Sequence, residues 1–375
     1  MKKALLLILP ILCTAFSCGT KVTDDNQNSE QNQPTHEYVV GADISWLSEM
    51  ERDSKVFKHT DGTIAKDLFE VLADFKMKAV RLRVWVDPYD GWSGRDDMVA
   101  LAKRASAAGL DIMVDFHYSD FFADPSRQII PAAWKADQED LQKVCSHVAD
   151  HTEEVLEALK KEGITPKWVQ IGNETRNGMI HPTGQLWNSS GNIPNSRANF
   201  AALYNAGYNA AKAVFPDVIA MPHLNNAWED NAWWFREMKQ AGAKFDAIAL
   251  SHYPQVEDGQ TWKQVNNKAA ANIASLGKEF NLDIYVSEVG VTTTVSENEA
   301  VMALSGFMGL VKKIDCFAGI FYWEPEVYGN WKPAIYGDAD LMYKYTGKRE
   351  TWGSYGMGAF LDDGRPSAVM TILSR

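Results

Sequence analysis

From Tyr38 to the C-terminus, short apolar runs alternate with helix-period segments, and this alternation narrows the choice of fold more than any other feature of the chain. The runs are Val39–Ser45, Ala79–Asp87, Asp111–Asp120, Trp168–Glu174, Val218–Leu224, Ala247–Pro254, Ile284–Val291 and Ala318–Pro325. Helical patterns lie between them at about 62–76, 94–109, 137–163, 197–215, 229–242, 261–280 and 298–314, with a last one near 365–374. Runs this short and continuously apolar suit strands buried on both faces, which is the condition of a parallel sheet covered by helices. Eight strand-then-helix units are the count of a (β/α)8 TIM barrel, one α/β domain over 38–375. Gly109, Gly163 and Gly242 stand where helices should stop. Two connections are long, Thr175 to Arg197 and Glu326 to Gly364, and both leave the end of the barrel where substrates bind.

The first 37 residues belong to a different regime. Lys2-Lys3, an apolar stretch Ala4–Leu12 too short to span a bilayer, and small residues after it form an export leader over 1–17. Cys18, following Ala15-Phe16-Ser17, resembles the acylated first residue of a bacterial lipoprotein; Cys13 is the weaker choice. Residues 18–37 are polar and lack apolar runs, so they form a flexible tether. An exported, membrane-anchored domain is the expectation, touching the membrane only through its lipid. A formal charge of −12 argues against nucleic acid as a partner. Beyond Cys13 and Cys18 only Cys145 and Cys316 remain, and two lone buried thiols are expected rather than a disulfide. No Cys or His cluster has zinc-site spacing, so no metal is assigned.

In α/β barrels the functional side chains sit where the strands stop. Two runs stop at a glutamate, Trp168-Val-Gln-Ile-Gly-Asn-Glu174 and Ile284-Tyr-Val-Ser-Glu288. As the fourth and seventh strands face each other across a barrel mouth, Glu174 and Glu288 are placed to converge. A pair of carboxyls is what cleavage of a glycosidic bond needs, one to protonate the leaving oxygen and one to attack carbon. Asn173 offers an amide to a sugar hydroxyl. Arg81 and Arg83 alternate on the second strand, and Arg83 beside the nucleophile would keep Glu288 ionised. His117 and Asp120 end the third strand, His252 and Tyr253 the sixth. Of thirteen tryptophans, Trp46, Trp85, Trp92, Trp134, Trp187, Trp228, Trp323 and Trp331 fall at strand ends or in loops, where indole faces suit sugar rings.

Four stretches carry a resemblance: Arg81-Leu-Arg-Val-Trp-Val-Asp-Pro88, Asp115-Phe-His-Tyr-Ser-Asp120 with Ala123-Asp-Pro125, Trp168 to Met179, and Phe321-Tyr-Trp-Glu-Pro325. With Phe360 to Pro366 they resemble glycoside hydrolase family 53, the endo-β-1,4-galactanases acting on the galactan of pectic type I arabinogalactan. The resemblance implies a monomeric (β/α)8 hydrolase acting with retention on galactan and requiring no cofactor. By matching motif Glu174 is the acid/base and Glu288 the nucleophile, while Arg83, His117, Asn173, His252, Tyr253 and Trp323 line the active centre. Trp92 and Asp120 are added as substrate contacts. The stretch after Glu288, Val289-Gly-Val-Thr-Thr-Thr, departs from the family pattern. It lacks the Asp/His/Asn-rich run through which some bacterial members hold a structural calcium, and Asp338 and Asp340 alone are too few ligands to claim a site. The rival readings are a clan-related mannanase or xylanase and a non-catalytic glycan-binding lipoprotein.

Overall fold

The structure is a computed structural model that describes residues 37–255, 259–293, 296–351 and 356–374, all within one compact unit. The leader, most of the tether and Cys18 lie outside the described residues. The strands are β1 (Val39–Asp43), β2 (Ala79–Val84), β3 (Asp111–Phe116), β4 (Trp168–Ile171), β5 in two pieces (Ile219–Met221 and His223–Leu224), β6 (Ala247–His252), β7 (Asp283–Val289) and β8 (Phe317–Trp323). All neighbours pair in parallel, and β8 returns to β1.

β5 is divided at Pro222, which has no N–H to donate to a ladder. Its first piece pairs with β4 and its second with β6, while the Pro222 carbonyl still accepts from Ala249 N at 3.0 Å. The chain itself therefore carries the barrel across the gap. Each expected helix is present, the first starting six residues late at Leu68, and Gly109, Gly163 and Gly242 hold the positive φ of helix stops (74–90°). Two short helices, Leu47–Arg52 and Ala339–Thr346, and two small hairpins between residues 178 and 192 add to what the periodicity shows. They are built from loop-like sequence too short to display a period.

The barrel interior is layered. Its lower layer is apolar, with Trp168 edge-on to both Tyr285 (5.7 Å) and Phe321 (5.9 Å), and with Met113 and Met221 beside them. Glycines make room for these rings: a Cβ on Gly41 would meet Phe321 at 2.6 Å, and one on Gly319 would meet Val39 at 2.3 Å. The layer above, toward the strand C-termini, is polar and contributed strand by strand: Asp43, Arg81, Asp115, Gln170, His223, Ser251 and Glu288, all at most 5% exposed. Burying that many polar groups is tolerable only when each is paired, so the layer behaves as one network. Cys145 and Cys316 are both free thiols of intermediate burial, with no disulfide between them.

Candidate active site

A cavity of about 390 Å³ opens at the C-terminal end of the barrel, with Glu174 and Glu288 in its wall. Glu288 reaches it through a register slip. β7 carries one more residue than β6 between the pairs Leu250↔Val286 and Ser251↔Glu288, and β8 shows the same slip opposite. Strict alternation from the inward Tyr285 would turn Glu288 outward; the extra residue, Ser287, re-aims it into the barrel, as β-bulges do near active sites. Glu174 follows the end of β4 with left-handed backbone angles (φ 49°, ψ 49°), an uncommon state for a residue with a side chain, held here by the turn it opens.

One oxygen from each carboxyl and a ring nitrogen of His223 all lie within 4.8 Å of one another. The environments of the two acids differ. Glu288 accepts from Tyr253 Oη (2.8 Å), Ser251 Oγ (3.2 Å) and Arg81 Nη2 (2.9 Å), all of which favour its anion. Burial opposes them and pushes its pKa above the ordinary carboxyl value. Among the described residues Glu174 forms no ion pair with a cation. Burial first, and the charge of Glu288 second, push its pKa to about 8. Shared titration of the pair thus leaves its one charge on Glu288, while Glu174 stays protonated at neutral pH.

Arg81 is the hub. Its guanidinium contacts Asp43 (2.6 Å), Asp115 (2.7 Å), Glu288 (2.9 Å) and the Asn173 side-chain oxygen (2.8 Å). Here the structure corrects the sequence expectation, because Arg81 rather than Arg83 faces the nucleophile position. Both point inward, but long side chains lean along the strand. Arg83 therefore reaches one layer higher, to Glu324 (2.5 Å) and over the Trp46 ring (4.0 Å). It remains part of the cavity wall. Replacing Arg81 by methionine leaves Asp43, Asp115 and Glu288 without their counter-charge, and a loss of about 3–5 kcal/mol of stability is expected; urea unfolding of the variant measures it.

The remaining expected residues divide. Asn173 has one amide hydrogen on Ala123 O (2.8 Å) and its oxygen on Arg81, so among the described residues its second N–H is available at the cavity wall. Tyr253 and Trp323 line the cavity, ring against ring at 6.0 Å. His117 lines it too, but both ring nitrogens are committed: Nδ1 accepts from Trp85 Nε1 (3.2 Å) and Ala123 N (3.0 Å), and Nε2 therefore donates to Asp115 (2.8 Å). It braces the wall rather than offering a nitrogen to a sugar hydroxyl.

Three expected contacts lie elsewhere. His252 faces the helices, stacked on Phe307 at 4.0 Å and bonded to Asn266, with burial lowering its pKa to about 4. Asp120 clamps loop backbone, accepting from Asp87 N (3.1 Å) and Ala132 N (2.8 Å). Trp92 packs under Arg52 (4.9 Å). Residues that the strand-end reading passed over include Asp43, Asp115, Gln170, His223 and Ser251; their signal was inward parity one layer below the ends.

Glu174, His223 and Glu288 are the one carboxylate–histidine group with metal-ligand spacing among the described residues. Two of the three are already committed: His223 Nε2 donates to Ser251 Oγ (2.8 Å), His223 Nδ1 accepts from Gln170 Nε2 (2.8 Å), and Glu288 accepts from Arg81. A cation there would displace a buried guanidinium, so the trio does not fit a metal centre. In the stretch after β7, Thr292 N and Thr293 N donate to the Gln255 side chain and the Gly356 carbonyl.

A parallel eight-stranded barrel with two facing carboxyls of opposed environment at its C-terminal mouth defines a (β/α)8 glycoside hydrolase. The sequence profile of glycosyl hydrolase family 53 matches residues 39–359, and the chain belongs to that family. An arabinogalactan endo-β-1,4-galactanase of Thermothelomyces thermophilus is 31% identical over 309 residues, covering 76% of this chain and 88% of its own. Another, from Cellvibrio japonicus, is 34% identical over 262 residues, 68% of this chain and 64% of its own. A solved fungal β-1,4-galactanase superposes with a TM-score of 0.71 at 27% identity, covering 92% of this chain and all of that one.

Expulsion of charge from Glu174 also sets a stability effect. Its folded pKa of about 8 lies above the ordinary 4.5, so between those values the unfolded chain has released a proton that the folded one retains. Stability is consequently lost as pH rises through this window. Glu174→Gln removes the titration, and its melting temperature should match wild type below pH 4.5 and exceed it by a few degrees at pH 9. Parallel melting curves across the range check it.

Proposed function

We propose that this protein hydrolyses internal β-1,4-galactosidic bonds of galactan with retention, Glu174 acting as acid/base and Glu288 as nucleophile. The observation that carries it is the approach of one oxygen of each carboxyl to within 4.8 Å, which suits the roughly 5–5.5 Å carboxyl separation of retention better than the roughly 6.5–9.5 Å of inversion. Glu174, neutral at pH 7, protonates the leaving oxygen while the Glu288 anion attacks the anomeric carbon. Departure of the leaving sugar consumes the Glu288 charge in the covalent ester. With that charge gone, the pKa of Glu174 falls and the residue accepts a proton from the incoming water. Asn173 donates its free N–H to a sugar hydroxyl, and Trp323 supplies an aromatic face beside the reacting ring. The names of the family relatives support galactan as the substrate.

The test is time-resolved NMR on linear galactan: new reducing ends should appear first as the β-anomer, and long oligomers should precede short ones. An α-anomer at the outset, or one short product from the start, rejects the reading. A panel of galactan, mannan and xylan separates it from clan-related alternatives. No metal takes part in this mechanism, and activity should survive chelation by EDTA. The anchor at Cys18, a monomeric state and an exported location complete the proposal; labelling with a fatty-acid analogue, lost in Cys18→Ser, tests the anchor.

A further inference from the structure

The cavity wall is built from the ends of β1–β4 and β6–β8 and from the loops after β3 and β8; beyond Glu174 the loop after β4 adds nothing to it, and neither does the loop after β5. The turn Thr175–Asn177 follows Glu174 directly, with Thr175 buried and Arg176 and Asn177 partly exposed. Two residues of chain span at most about 7 Å, so Arg176 stays close to Glu174 whatever the turn's path.

The turn is built with unusual care. Asn177 exchanges bonds with the backbone of Trp187 (2.9 and 3.1 Å). The Arg176 carbonyl accepts from Trp234 Nε1 (3.0 Å), and its guanidinium is tied to Glu229 (2.5 Å) and Asn231 (2.7 Å). Two indoles stand on this base. Trp187, on a small hairpin, and Trp233, at the start of the helix Ala232–Gln240, lie 6.2 Å apart with planes tilted by 50°, and Arg176 lies 5.9 Å from the Trp233 ring. Both are half-buried, whereas the adjacent Trp234 is fully buried. Trp234 is wholly committed to packing; Trp187 and Trp233 also rest against the core but stay partly exposed.

We propose that Trp187 and Trp233 form a stacking platform for galactosyl residues on the leaving-group side of the cleaved bond, outward of the sugar that accepts the proton from Glu174. This rests on the acid role of Glu174, because an acid that protonates the leaving oxygen stands on the leaving group's side. A rigid aromatic pair fixed to the same turn then holds the departing chain in register with the acid. The occupant is a neutral β-1,4-linked galactose chain, whose C–H faces suit indole.

Trp187→Ala and Trp233→Ala are the test, each assayed on galactan and on an aryl β-galactobioside whose leaving group is a single ring that ends before the platform. Each variant should lose roughly 3- to 10-fold in kcat/KM on galactan, the range of one aromatic contact, with the aryl substrate unchanged. Trp→Phe at either position should recover most of the loss. Equal losses on both substrates would show a merely structural role, and no loss on galactan would show that the chain passes elsewhere; either overturns the platform. The parent reading is judged separately, by wild-type turnover of galactan in the same assay, and an inert wild type rejects both.

Discussion

Glu288→Ala is expected to lower kcat on galactan by at least about 10⁴-fold, the scale on which loss of a nucleophile is felt when the other catalytic groups remain. The loss should be nearly all in kcat. Tyr253, Ser251 and Arg81 shape the cavity around the missing carboxylate and still hold it open, so substrate affinity should change little. The vacancy lies on the face of the sugar opposite the leaving oxygen. A small anion such as azide, added with an activated aryl galactoside, should enter there and yield an α-galactosyl azide. That product records both the place of the nucleophile and the stereochemistry it normally imposes. Retention of substantial activity by the alanine variant, or a β-azide, would end the assignment.

Glu174→Ala is expected to separate substrates. On galactan the leaving group is a sugar alkoxide that needs a proton, and a loss of about 10²–10⁴-fold follows from removing a general acid. An aryl galactobioside with a good leaving group departs unaided. Its first step should proceed near the wild-type rate, and the ester on Glu288 should then accumulate, since no base remains to activate water. A burst of phenol followed by a slow steady state is the signature. Equal losses on both substrates would count against the acid role. In wild type the alkaline limb of kcat/KM should fall as pH rises through about 8, because the free enzyme then loses the proton it must donate. In the Glu174→Ala variant that limb should vanish on aryl substrates.

How far these residues could be read from the chain depends on what each reading required. The barrel needed only the alternation of two periodicities, and every expected strand and helix formed, the first helix starting six residues late at Leu68. Glu174 and Glu288 needed in addition the rule that strand ends face the mouth. His252 obeyed the same rule in sequence and still turned toward the helices, because it follows the inward Ser251 on β6 and alternation points it outward. Asp120 and Trp92 sit past strand ends in loops, whose paths are set by backbone bonds such as Asp120 to Asp87 N and Ala132 N. Trp233 reads as the apolar face of a helix in Ala232-Trp-Trp-Phe235, and only packing against the hairpin of Trp187 tells it from its buried neighbour Trp234.

Sequence by itself settled the class of fold and put Glu174 and Glu288 at the ends of their strands, because local periodicity and the placement of strand ends depend on near neighbours along the chain. The tertiary structure decided what each acid can do. The extra residue in β7 turns Glu288 inward, and that slip exists only relative to β6 and β8. Arg81 takes the place expected of Arg83 because side-chain length and lean, measured against Asp43 and Asp115 on neighbouring strands, fix which guanidinium meets the carboxylate. The opposed proton affinities of Glu174 and Glu288 follow from burial and from charges brought together across the barrel. Such quantities fall off with distance in space and are not written in distance along the chain.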